Sequence, residues 1–233
     1  MDPLENVIWK ALMTKQANFA EVSGSARRFP VEVTALGAFS GAEAQGYQDL
    51  AKLLRPGEVV ALFLPAPSTP PDWLKVTRDL PLLEMIHDGS AISTPKLDFV
   101  ELGDADSPEM LALTKLTQPG PFGKRTHELG SYLGIRREGK LVAMAGERLK
   151  IEGYTEVSAV CTHPDHLGKG YAATLMSELM RRMIDRGEIP MLHVLESNKR
   201  AIALYRRLGF TDRATLRVLV LAKPNGGTRK TQG

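Results

Sequence analysis

The chain has 233 residues, 43% of them hydrophobic and 24% charged, with 30 basic against 27 acidic side chains and a net charge of +3. That balance suits a globular protein with room for a sizeable core and excludes a strongly basic nucleic-acid binder. The single cysteine, Cys161, excludes an intrachain disulfide and a thiolate zinc cage, and points to a reducing, cytoplasmic setting.

In chain order, the opening MDPLENVIWKAL carries two acids and no basic stretch before an apolar run, so it does not read as a secretory signal. Helical pieces are expected near 4–12 and 42–54, with a buried strand at Val59–Leu64. The apolar run from Val59 is strand-length, far short of a membrane span. The proline-rich segment Ala66-Pro67-Ser68-Thr69-Pro70-Pro71 reads as a loop. His87 and Trp73 stand alone and read as packed residues. Residues 1–95 are expected to form a divergent N-terminal domain, with a second domain over 96–223 and a disordered tail over 224–233.

From Lys96 strands and helices alternate. A strand is expected at 97–102. Asp106-Ser107-Pro108-Glu109 then starts a helix running to about Thr117, before Pro119-Gly120. Strands at 132–137, 140–148 and 154–162 form a meander, turned by Glu138-Gly139 and Glu152-Gly153. A helix over 171–186, a strand at 191–195, a helix over 199–208 and a strand at 216–222 complete the pattern.

The chemistry concentrates in Val160-Cys161-Thr162-His163-Pro164-Asp165-His166-Leu167-Gly168-Lys169-Gly170-Tyr171-Ala172, where a strand runs through a glycine-bearing loop into an amphipathic helix. Orphan N–H groups and the positive end of the helix dipole make an anion site. The glycines let a phosphate approach the backbone, and Lys169 adds a cation. A plain strand-to-helix turn would look the same from this piece alone. GxxxxGK[ST] is absent, and so is GxGxxG, which sets aside a P-loop and a dinucleotide site. Downstream, Asn198 precedes a helix on which Ala201, Leu204, Tyr205 and Leu208 share a face.

Together, His166–Ala172 and the N-x-x-A-x-x-L-Y-x-x-L-G-F segment from Asn198 to Phe210 resemble the GNAT superfamily of acyl-CoA N-acyltransferases, and within it the FR47-like group. The resemblance spans about 96–223. It implies a mixed α/β fold: a twisted mixed sheet flanked by helices and splayed beside the strand 154–162. It implies acetyl-CoA or another acyl-CoA as co-substrate and no metal. The pantetheine arm would lie along the backbone of Val160, Cys161 and Thr162, and the pyrophosphate on Leu167, Gly168, Lys169, Gly170, Tyr171 and Ala172. Asn198 and Ala201 would complete the cofactor site. The family loop usually reads Q/R-x-x-G-x-G/A, and Leu167 departs from it at the first position.

Amine attack on a thioester requires deprotonation of the ammonium and stabilisation of the oxyanion, and an acid can assist the departing thiolate. No covalent enzyme intermediate is needed, so Cys161 reads as a core residue on the pleat opposite Glu156 and Val160. Counting along the strand puts Glu156, Ser158, Val160 and Thr162 on one face. Glu156 is therefore expected as the base, its pKa raised by desolvation, with Glu147 the competitor. A glutamate solvated at the strand end would fit the same position. Tyr205 is expected as the acid, against the alternative of a packed aromatic. His163 and His166 read as exposed loop residues. The partners expected are acyl-CoA and an amine-bearing acceptor, with no nucleic acid or membrane, for a monomer or homodimer. A non-catalytic CoA-binding regulatory module is the alternative.

Overall fold

The computed structural model describes residues 2–92 and 97–225. Most of the tail expected to be disordered, from residue 226 on, lies outside the described residues, as does the 93–96 junction. In chain order the elements are α1 (Val7–Met13), β1 (Glu21–Ser23), β2 (Ala26–Arg28), β3 (Gly37–Phe39), α2 (Glu43–Leu53), β4 (Val59–Leu64) and β5 (Lys75–His87). There follow β6 (Val100–Leu102), α3 (Ser107–Thr117), β7 (Tyr132–Arg137), β8 (Lys140–Ile151), β9 (Tyr154–Thr162), α4 (Tyr171–Asp185), β10 (Ile189–Leu195), α5 (Lys199–Arg207) and β11 (Phe210–Ala222). Among the described residues, no helix is long and apolar enough to cross a membrane.

Eight of the described strands form one sheet in the order β4-β11-β5-β10-β9-β8-β7-β6, and β1–β3 form a small second sheet. The pairing is antiparallel except for the parallel contact between β9 and β10. The mixed α/β architecture expected from the sequence is therefore present. The α4 helix presents Leu175, Met176, Leu179, Met180 and Met183 to the sheet, all fully buried, in the spacing that marks one helical face. On the opposite face, α1 buries Val7, Ile8, Ala11 and Leu12 against Leu149, Ile151 and Met191, while α3 places Met110 and Leu113 over Tyr132, Met144 and Cys161.

The boundary expected between residues 95 and 96 is crossed by this sheet. β4 and β5 come from the N-terminal part, and β5 lies between β11 and β10, paired to both. β5 itself is absent from the sequence reading. Its first half is charged and exposed, and Pro81 interrupts it. A proline cannot serve a two-sided ladder. Here β10 leaves at the Leu195↔Leu82 pair, just before Pro81 is reached, so the proline needs a partner strand on one side only. His87 is buried as expected and packs edge-on to Phe210, whereas Trp73 is exposed rather than packed.

Candidate active site

β9 and β10 pair only at Ile189↔Tyr154, Pro190↔Thr155 and Met191↔Glu156. Beyond that point β10 stays with β5 as far as Leu195, and β9 stays with β8 as far as Thr162. The sheet splits between them, which leaves the edge of β9 over 157–162 without a strand partner among the described residues. The splay that the family resemblance implies beside this strand is thus present there.

The expected face count fails within β9. Gly146 stands opposite Ser158 and Met144 opposite Cys161, so Ala159 and Val160 together face the single residue Ala145. This is a β-bulge, and Ala159 takes the left-handed conformation there, with φ 53°. One extra residue flips every later side chain to the other face. Val160 accordingly packs into the α4-side cluster, away from the side that holds Glu156. Cys161 falls under α3 beside Tyr132, on the Glu156 side rather than opposite it. Burial pushes the Cys161 thiol up to about 11, which suits a core residue and not a nucleophile.

The loop after β9 leads into α4 through Gly168 and Gly170, with φ 80° and 76°. That left-handed backbone is open to glycine at little cost. A Cβ at either position would meet no atom within 4 Å. Leu167 donates its N–H to Pro164, and Thr174 donates to Gly170. Between them, the N–H groups from Gly168 to Ala173 find no acceptor among the described residues. They are a run of free donors at the positive end of a helix. Leu167 is 44% exposed, so the residue that departs from the family loop lies at the surface. Lys169 Nζ lies 3.4 Å from His166 Nδ1. The sequence reading missed Arg137, at the end of β7. Its Nε donates to the Tyr171 hydroxyl at 3.0 Å and its guanidinium lies over the Tyr171 ring, and among the described residues it has no carboxylate partner. The only sequence signal for it is a basic residue at a strand end.

Tyr171, Val160, Ala201 and Tyr205 gather on the α4 side of the split. Asn198 caps α5, its Oδ1 accepting from the Ala201 N–H at 3.2 Å. Tyr205 is buried with its ring edge-on to Phe210, and desolvation pushes its phenol up to about 12.

Glu156 differs from the expectation in two respects. It is fully buried on the other face, and its carboxylate is crowded with donors: Arg148 Nε at 2.8 Å, Arg148 Nη2 at 2.6 Å, the Leu149 N–H at 3.3 Å and His193 Nδ1 at 2.7 Å. Burial alone would raise the carboxyl, but Arg148 and then His193 outweigh it and hold it down at about 2. The desolvation anticipated from the sequence is present; the cations that overcome it were not anticipated. Glu147 is no freer. Burial acts upward on it too, and Lys150 at 2.7 Å and Arg186 at 2.8 Å hold it below the usual carboxylate range.

The FR47-like protein family model matches residues 132–218. Over 96% of this chain and 99% of the other, the protein resembles a structure assigned to the GNAT family of acetyltransferases from Novosphingobium aromaticivorans, with 37% identity and a TM-score of 0.89. A GCN5-related N-acetyltransferase from Kribbella flavida matches 93% of this chain and 96% of its own, at 18% identity and a TM-score of 0.61. A GCN5-related N-acetyltransferase-like protein from Streptococcus suis covers 93% of each chain at 15% identity and a TM-score of 0.59; these last two likenesses speak to the fold alone. Comparison with curated proteins gives no match.

Proposed function

Because the chain belongs to the GNAT family of acetyltransferases, we propose that it moves an acyl group, acetyl in the first instance, from acyl-CoA to a primary amine by direct attack. The observation that carries this reading is the conjunction of an unpaired β9 edge with the row of free N–H groups at the start of α4. The residues present fit an acyl-CoA. The donor row is long enough for a pyrophosphate, and neither loop glycine carries an atom into the space before it. When bound, acyl-CoA supplies an acyl group already activated as a thioester.

In this reading the N–H groups of Gly168–Ala172 hold the phosphates, with Lys169 and Arg137 as flanking cations. The open backbone of Val160, Cys161 and Thr162 receives the extended pantetheine arm as a strand would. The Val160 N–H polarises the reacting carbonyl. Tyr205 lies across the split. Its phenol is protonated at neutral pH and is the donor for a departing thiolate, although the burial that raises it to about 12 makes it a weaker acid than a free phenol. Asn198, its Oδ1 committed to the helix cap, has Nδ2 left for the cofactor arm. Glu156 is not proposed as the proton acceptor. A carboxylate held at about 2 is a weak base, and it serves instead as a fixed anion at the root of the split. The ammonium proton is assigned to water on the Ser158 side, where β9 is half-exposed.

The proposed compartment is the cytoplasm. The acceptor class remains an amine: a small amine, an amino acid, an aminated antibiotic or a protein amine. The test is thiol release from acetyl-CoA across an amine panel, followed by mass spectrometry of the product. Release that depends on a particular amine, with an acetyl mass increment on it, is the expected result. Calorimetric binding of acetyl-CoA with no release against any amine would identify a CoA-binding module instead. Absence of binding would overturn both readings.

A further inference from the structure

β11, β5, β10, β9 and β8 are consecutive neighbours in the sheet, and each contributes one charged or titratable side chain to a row across its α1 face. The row reads Arg213, Glu84, His193, Glu156, Arg148. Arg213 pairs with Glu84. Glu84 Oε2 lies 3.1 Å from His193 Nε2, and His193 Nδ1 lies 2.7 Å from Glu156 Oε1. Arg148 grips Glu156 with two nitrogens, and Asp2 closes the other end on Arg213. The His193, Glu84 and Glu156 side chains are no more than 1% exposed. The Phe63 ring packs on the imidazole at 4.6 Å and under Arg148 at 5.9 Å, which keeps water out.

Two features fix the charge of the imidazole. A carboxylate oxygen can only accept a hydrogen bond, and both ring nitrogens of His193 face one. Both nitrogens must therefore carry a proton. The signs along the row also balance only in that state: Arg213, His193 and Arg148 against Asp2, Glu84 and Glu156. A neutral imidazole would leave one nitrogen lone pair against a carboxylate and a net negative charge in a buried site. These residues, with the orphaned hydroxyl of Tyr132 beside Arg148 and Glu156, are the titratable and charged groups that surround the ring.

The row crosses the place where the sheet divides. Glu156 sits at the last β9–β10 register position, opposite Met191, and His193 is two residues further along β10. We propose that His193 is a positioning residue for the acyl donor: as a buried imidazolium tying β9 to β10 at the root of the split, it fixes the width of the opening that receives the pantetheine arm. This rests on reading that split as the donor site. His193 is held protonated above its ordinary range, by Glu156 foremost, against a burial effect that alone would lower it. A raised folded-state value contributes stability in full below the ordinary histidine range and loses it as pH rises through the folded value. The tie therefore weakens on the alkaline side.

The full chain with ring-labelled histidine, followed by NMR from pH 6 to 10, tests the charge: both His193 nitrogens should carry protons at pH 7.5, and a neutral tautomer there overturns the proposal. Calorimetry with acetyl-CoA tests the role. His193→Gln should raise the donor Kd at least tenfold in a protein that still unfolds cooperatively, and should remove the alkaline loss of affinity expected of the wild type. An unchanged Kd in folded His193→Gln overturns the proposal, because a merely structural residue would lower stability alone. If that variant does not fold, Glu84→Gln decides: removing one carboxylate should move the alkaline fall in donor affinity to lower pH, in step with the imidazole titration. A fall that stays in place overturns the tie. Wild-type protein that binds no acetyl-CoA at any pH sinks the donor site itself. Wild-type binding that ignores the His193 titration sinks only the present inference.

Discussion

Glu156 is a residue whose neighbours, more than its burial, decide its state. Burial pushes a carboxyl toward neutrality, and an adjacent guanidinium with two hydrogen bonds reverses that. Glu156→Gln would leave the Arg148 guanidinium buried without a counter-charge, so the unfolding free energy should fall by about 3–5 kcal/mol in chemical denaturation. The pair also sets an acid limit. The folded-state value lies at about 2, below the ordinary 4.5. Its stability is complete above the ordinary value and drains as pH falls toward the folded one. Wild-type stability should slope across that window, and the Gln variant should lack this part of the slope. Tyr205→Phe is the contrasting case. It removes a hydroxyl that makes no hydrogen bond within the described protein, so stability should stay within about 1 kcal/mol. If the phenol assists the thiolate, kcat for thiol release should fall by about tenfold or more with little change in donor KM. An acid in an apolar strand could be read from the sequence as unusual. Its partners could not, because Arg148 reaches it only through the β8–β9 pairing and His193 lies 37 residues away along the chain.

At the scale of elements, the features read correctly were those fixed by local spacing. The α4 stripe, the Gly168–Gly170 loop and the helix start after Asn198 depend on neighbours within a turn, and each lies where the sequence put it. The β9 bulge depends on how β8 lies beside it, so a count along one strand carried Val160 to the wrong face. The loop offers a direct test. Gly170→Glu brings a carboxylate to the donor row and should weaken acetyl-CoA binding at least tenfold by calorimetry while the fold is kept. Left-handed strain alone costs roughly 1–2 kcal/mol for a non-glycine residue. Gly153→Glu provides the control, since Gly153 has φ 75° and open space around it but lies in the β8–β9 turn. Equal loss of donor affinity in both variants would remove the loop from the donor site.

For the molecule as a whole, the main departure from the sequence reading is the position of β5. A strand with a charged half and a proline offers no alternation to detect, and its place between β10 and β11 is set by pairings across most of the chain. A fragment beginning at residue 96 would keep every motif of the proposed site yet lose the strand that joins β10 to β11. It should show no cooperative thermal transition and should aggregate through the two bared edges. A soluble fragment with a sharp transition would show that residues 1–95 are dispensable to the fold.

The same arrangement constrains how the protein is made. Asp79 meets its partner Arg217 only after a further 138 residues, and Thr77 bonds Val220 across 143. As the chain leaves the ribosome, β4 and β5 emerge early, and their partners in the large sheet, β10 and β11, are synthesised only much later. Closing such long loops comes late and slowly, with sticky strand edges on show meanwhile. Recovery of active protein should therefore respond to slower translation, lower temperature or added holdase chaperone more than to any change in the finished fold.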